Sequence, residues 1–205
     1  MQIPFYKNHG LRCAQTCMKC ALGKVFPDKT FDIKTLENIT GRKGNFITWP
    51  VQIAAGFQKL GVDFFYPVKP NFRCLNFDEL KNSPGYEKPF SRTDFKSVKD
   101  SIDLIKDSRH FSEVDNDITL EQITDFIDLK KLIPIMLVNY DVLVGRSDES
   151  SGHYLVVTRI GQRYVYAHDT GPCNASADKR FLRENIQMSR NLNLIDHGLI
   201  FIPSI

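Results

Sequence analysis

"HYLVVTRIGQRYVYAHD" spans residues 153–169, and its reading decides the fold. Two runs rich in β-branched and aromatic residues, 153–160 and 163–169, flank Gly161-Gln162, the pattern of a β-hairpin. Side chains alternate between the faces of a sheet, so the parity of the turn decides which residues share a face. A three-residue loop at 160–162, or a two-residue turn plus a bulge, puts His153 and Asp169 on one face. In that register His153 lies opposite Asp169, Leu155 opposite Ala167 and Val157 opposite Val165. A tight turn with no bulge instead pairs Leu155 with His168 and splits His153 from Asp169. The apolar matching favours the first register. It turns His168 to the other face with Tyr154, Tyr164 and Tyr166, as a half-exposed sheet residue.

Working outward, "LIPIMLVNY" (132–140) is a continuous apolar run short enough for a buried strand, and "HGLIFIPSI" (197–205) reads as a closing strand. The first half has a helical pattern. Cys13 to Phe26 is rich in Ala, Met, Lys and Leu, with Pro27 as a stop. A short helix over 32–39 closes at Gly41, and 49–61 forms another with Pro50 in its first turn and Gly61 past its end. "IPFY" (3–6) and "VDFFYPV" (62–68) read as strands. Phe95, Val98, Ile102 and Ile105 recur at helical spacing behind a cap formed by Ser91 with Asp94, and Leu120, Ile123 and Ile127 do so behind a Thr119/Gln122 capping box. Helices first and antiparallel strands second is an α+β layout. The expected organisation is one domain over 1–205: a helical half (1–68), a variable helical insertion (69–131) and a sheet half (132–205). Residues 69–91, rich in Pro, Asn, Lys and Phe, read as a long irregular connection.

Composition narrows the function classes. A net charge of +3 on 205 residues, without a long basic run, gives no reason to expect nucleic acid or a membrane surface as partner. The N-terminus lacks the layout of a secretory signal and no apolar run reaches transmembrane length. Five cysteines, three of them crowded into "CAQTCMKC", make a poor disulfide framework, so the expectation is a reducing cytoplasm.

Cys13, Cys17 and Cys20 have the C-x-x-x-C-x-x-C spacing that can hold an iron–sulfur cluster. On a helix, however, they string out over roughly 10 Å of axis. No fourth zinc ligand stands at a paired spacing, with Cys74, Cys173 and the histidines all isolated. No metal or other cofactor is expected. Cys17 and Cys20 read as core residues. Cys13, at the first turn, would meet unsatisfied N–H groups and the positive end of the helix dipole, which favour a thiolate. A cysteine nucleophile needs an imidazole and a group to orient it, and the hairpin offers His153 and Asp169. His9 reads as a turn residue, and His110 and His197 have no supporting context.

These residues resemble a known family. "IPFYKNHGLRCAQTCMKCAL" resembles the nucleophile block of papain-like cysteine peptidases, in the branch named for bacteriocin-processing (double-glycine leader) peptidases and its stand-alone relatives. "LIPIMLVNY" followed by "GHYLVVTRIGQRYVYAHDTGP" resembles that branch's later block, and "ITGRKGNFITWP" (39–50) is similar to a stretch of some stand-alone members. The resemblance implies a papain-like fold, with helices packed on an antiparallel sheet, Cys13 as nucleophile, His153 as general base and Asp169 as orienting acid. Two positions depart from the pattern. Ala14 stands where members usually have Gly, and Lys7 where they have the Gln that donates to the oxyanion. Asn8 is the nearest replacement donor and Gln15 the alternative.

The expected function is therefore a thiol hydrolase, a cysteine peptidase or amidase acting on a peptide or protein substrate through an acyl-enzyme. The same triad also serves acyl transfer, as in transglutaminase-like enzymes. A non-catalytic peptide-binding module on this fold is the third reading, which the missing Gln permits.

Overall fold

The computed structural model describes residues 2–70, 72, 91–146, 151–172, 174–190 and 196–204. Most of the irregular connection expected over 69–91, and both Cys74 and Cys173, lie outside the described residues. Helix α1 (Cys13–Val25) is followed by α2 (Ile33–Thr40), α3 (Pro50–Lys59), a short strand β1 (Tyr66–Val68), α4 (Phe95–Ile105), β2 (Phe111–Glu113) and α5 (Leu120–Asp128). Then come β3 (Leu132–Asn139), a single turn α6 (Tyr140–Leu143), β4 (Gly152–Ile160), β5 (Tyr164–Asp169), β6 (Ser176–Leu182), α7 (Arg183–Arg190) and β7 (Leu199–Pro203).

Local chemistry places most of these elements. Gly41 ends α2 in the left-handed conformation at φ 68°. Pro50 occupies the first turn of α3, where its missing N–H costs nothing. Asp94 accepts from Ser97 N to start α4, and the Thr119/Gln122 capping box starts α5.

The main sheet is antiparallel, ordered β6-β5-β4-β3-β7. Both faces are covered. On one, Ile133, Ile135, Tyr154, Val156, Ile200 and Ile202 pack against α1 and the helices behind it. On the other, Met136, Val138, Leu155, Val157 and Phe201 pack against Leu120, Ile123, Ile127 and Ile186 of α5 and α7. This double coverage explains why β3 is an uninterrupted apolar run rather than an alternating one.

Four expectations need correction. Residues 3–6 form no strand: the Ile3 carbonyl accepts from the His168 ring instead of joining a ladder. Of 62–68 only Tyr66–Val68 is a strand, paired in parallel with β2. The hairpin register is shifted by two residues, with Leu155, not His153, opposite Asp169. The turn is tight, with Gly161 N donating to Tyr164 O at 2.8 Å, and a bulge at Thr158 restores the parity that puts His153 and Asp169 on one face. The Thr158 hydroxyl lies 3.2 Å from Tyr166 O and 2.6 Å from Asp178 Oδ1, two acceptors for its one hydrogen. Finally, His168 is buried rather than half-exposed, because the N-terminal segment covers that face: Phe5 meets its ring edge-on at 5.4 Å.

The α2–α4 junction gives a stability test. A Cβ at Gly41 would face both the left-handed φ and a collision with Ser97 Oγ, whereas at Gly44 (φ 50°) it would meet nothing within 4 Å. The left-handed backbone alone costs an L-residue about 1 kcal/mol. In denaturant titrations Gly44→Ala should lose about that much, and Gly41→Ala clearly more. Equal losses would contradict the packing described here.

Candidate active site

The N-terminus of α1 is left open. Its N-cap, Arg12, makes no side-chain cap, and no acidic residue stands in the first turn. No capping side chain or acidic residue therefore stands against the first N–H groups and the positive dipole end. Cys13, half-buried, sits at that first position.

α1 packs beside β4, which sets the Cys13 thiol close enough to the His153 imidazole for each to shift the other's pKa. The His153 Nε2 is 2.9 Å from Asp169 Oδ1. Because Nε2 is occupied by the carboxylate, Nδ1 is the nitrogen that remains for the thiol. The two-residue register shift fits this division. Asp169 is the diagonal neighbour of His153 across the hairpin, a residue separation of about 7–8 Å that the far ring nitrogen can span. Asp169 has no exposed surface, and its Oδ1 also accepts from Gly171 N at 3.2 Å.

The electrostatics follow from this line of contacts. Burial opposes a charged Cys13, but the hydrogen bond and charge of His153, with backbone hydrogen bonds from Tyr154 and Ala14, outweigh it and hold the thiol below its ordinary pKa. Burial likewise opposes a charged His153, yet Asp169 and Cys13 push it up to about 9. Asp169, despite burial, is held below the usual carboxylate range by His153 and Lys179. The other two thiols go the opposite way. Burial raises Cys17 well above its ordinary value and Cys20 to about 11. Cys17 Sγ donates to Tyr154 O at 3.3 Å, and both side chains are fully enclosed in the core. Among the described residues no three His, Cys, Asp or Glu side chains converge as metal ligands.

The two oxyanion candidates are placed differently. Gln15 is fully buried and spends both hydrogens of its amide on Thr40 Oγ1 and Thr48 Oγ1, each at 3.0 Å. It has none left for a substrate. Asn8 is held by its backbone N–H on Thr170 O at 2.7 Å and gives one amide hydrogen to Gly10 O at 2.6 Å. Its second amide hydrogen has no acceptor among the described residues. The loop from Asn8 to Cys13 is pinned from α2. Glu37 binds both Arg12 and Arg42, which in turn donate to His9 O and Leu11 O.

Sequence reading did not find Lys179 and Tyr140. Lys179 Nζ lies 2.7 Å from Asp169 Oδ2, and the Tyr140 ring meets the His153 ring edge-on with centroids 4.9 Å apart. β6 was illegible because "SADKRFL" is mostly exposed and carries no apolar alternation. Tyr140 could have been found as the residue that ends the apolar run of β3.

No protein-family model matches the chain, and no curated protein matches it. Among solved structures it is similar to the peptidase domain of Streptococcus ComA, a bi-functional ABC transporter involved in a quorum-sensing pathway. The TM-score is 0.53 at 12% sequence identity, and the match covers 98% of each chain. The α+β chain described above, helices on an antiparallel sheet, has the papain-like fold of that peptidase domain.

Proposed function

We propose that this chain is a thiol hydrolase, a cysteine peptidase or amidase that cleaves a peptide or amide bond through an acyl-enzyme. The observation that carries this reading is the His153–Asp169 hydrogen bond, at 2.9 Å, with a thiol of lowered pKa beside it at an uncapped helix start. The peptidase fold it sits on supports the same reading. In the resting state the proton of Cys13 resides on His153, which Asp169 holds in place. The thiolate attacks the carbonyl carbon, forming a C–S bond as the carbonyl electron pair moves to oxygen. The oxyanion is stabilised by the Cys13 backbone N–H and the uncommitted hydrogen of Asn8. His153 gives its proton to the departing amine as the C–N bond breaks. Water, losing a proton to His153, then attacks the thioester; the acid is released and the thiolate–imidazolium pair returns.

Incubation with a peptide library, followed by mass-spectrometric detection of new termini, tests the reaction. Cleavage that vanishes in Cys13→Ala is expected, and no cleavage of any peptide would overturn the proposal. Limiting iodoacetamide near neutral pH should label Cys13 ahead of Cys17 and Cys20, and His153→Ala should abolish that preference. Equal labelling of the three thiols would sink the assignment. Turnover should rise with pH through the depressed Cys13 pKa, plateau, and fall as His153 loses its proton near about 9. Asn8→Ala should keep the alkylation rate, since alkylation creates no oxyanion, while turnover drops on the order of 10²–10³-fold. A parallel loss of both would mean that Asn8 acts only by holding the loop.

A further inference from the structure

The carboxylate that orients His153 is itself shared. Asp169 has no exposed surface, and its two oxygens face different partners. Oδ1 takes His153 Nε2 and the Gly171 N–H; Oδ2 takes Lys179 Nζ at 2.7 Å, with the Tyr140 hydroxyl at 3.4 Å. Lys179 reaches this oxygen by design of the sheet. It stands opposite Ala167 in the β5–β6 ladder, which puts it on the same face as Asp169. Its stem lies beside the Phe181 and Tyr140 rings, with Nζ 5.3 and 5.8 Å from their centroids, and its side chain is 26% exposed. An ordinary edge-strand lysine would extend to water. This one turns inward to a buried anion.

We propose that Lys179 is a positioning residue of the triad, a counter-cation that shares the Asp169 carboxylate with His153 and so limits how firmly His153 keeps its proton. The inference rests on the thiol-hydrolase reading above. A buried carboxylate with imidazolium as its sole ionic partner would bind that imidazolium tightly, leaving a poor acid for the departing amine. With Lys179 on the second oxygen, the pull on His153 is moderated. The charged and titratable groups facing the pair come from four elements: Cys13 and Cys17 on α1, Tyr140 on α6, Asp169 on β5 and Lys179 on β6. Of these, Lys179 is the one permanent cation. Its loss leaves Oδ1 still tied to Gly171 and His153, so the carboxylate stays on the ring with its charge no longer shared.

The test is an NMR titration of the His153 imidazole in the full chain, its signal assigned by its absence in His153→Ala. Lys179→Met, and Lys179→Gln as a variant that keeps a hydrogen-bond donor without the charge, should each raise the His153 midpoint by about one pH unit. Lys179→Arg should restore the wild-type midpoint. In turnover, the alkaline limb should move up with the midpoint while kcat falls and KM holds. A lysine serving only to stabilise the fold would lower the melting temperature and leave the midpoint in place. An unmoved or lowered midpoint in the neutral variants, or failure of Arg to restore it, overturns the proposal. Cys13→Ala separates the two readings. If removing the thiol does not shift His153, the triad itself fails; if it does and the Lys179 variants do not, only the role of Lys179 falls.

Discussion

A carboxylate with no contact with solvent is costly to keep ionised, and much of the site is arranged around that cost at Asp169. Four donors meet it: a ring nitrogen from β4, a backbone N–H two residues on, an ammonium from β6 and, at 3.4 Å, the Tyr140 hydroxyl. The ring nitrogen and the ammonium are delivered by sheet register, from β4 and β6 on either side of β5. The sheet is in turn rigid because both of its faces are packed. A buried anion thus fixes an imidazole, and the Cys13 thiol beside that imidazole has its pKa lowered. The chain of dependence runs from core packing to chemistry.

The Cys13 end is set by a different device. Helix α1 begins without a cap, which costs an isolated helix of the order of 1 kcal/mol. Here the helix is held by its buried face, Ala14, Cys17, Met18, Ala21 and Leu22, so the opening turn can do without a side-chain cap. Free N–H groups at that turn are what a thiolate and an oxyanion need. The same helix carries two further cysteines that behave in the opposite way, since a thiol walled in by apolar side chains stays protonated. Sequence spacing alone groups the three; their surroundings divide them.

What could be read from the chain followed the strength of local signals. Capping residues, proline stops and the apolar run of β3 located most helices and the central strands, because those signals act within a few residues. The parity of the hairpin was also legible, since apolar matching constrains which side chains face the core. The register itself was not. It depended on a bulge at Thr158, stabilised by Asp178 from a strand with no apolar pattern to announce it. His168 was misplaced for a related reason: what buries it is the segment at the other end of the chain. Lys179 was invisible because a lysine in an exposed, charged stretch looks like ordinary solvation until its partner is known.

The bulge at Thr158 has a bearing on how this hairpin can change over evolutionary time. A single inserted or deleted residue between His153 and Asp169 would invert the relation between the two side chains and leave them on opposite sides of the sheet, unless a second irregularity compensated. Changes of two residues would merely lengthen or shorten the arm. Length variation in this hairpin is therefore quantised, tolerated in even steps and lethal to the site in odd ones. Loops elsewhere on the surface are free of that counting rule.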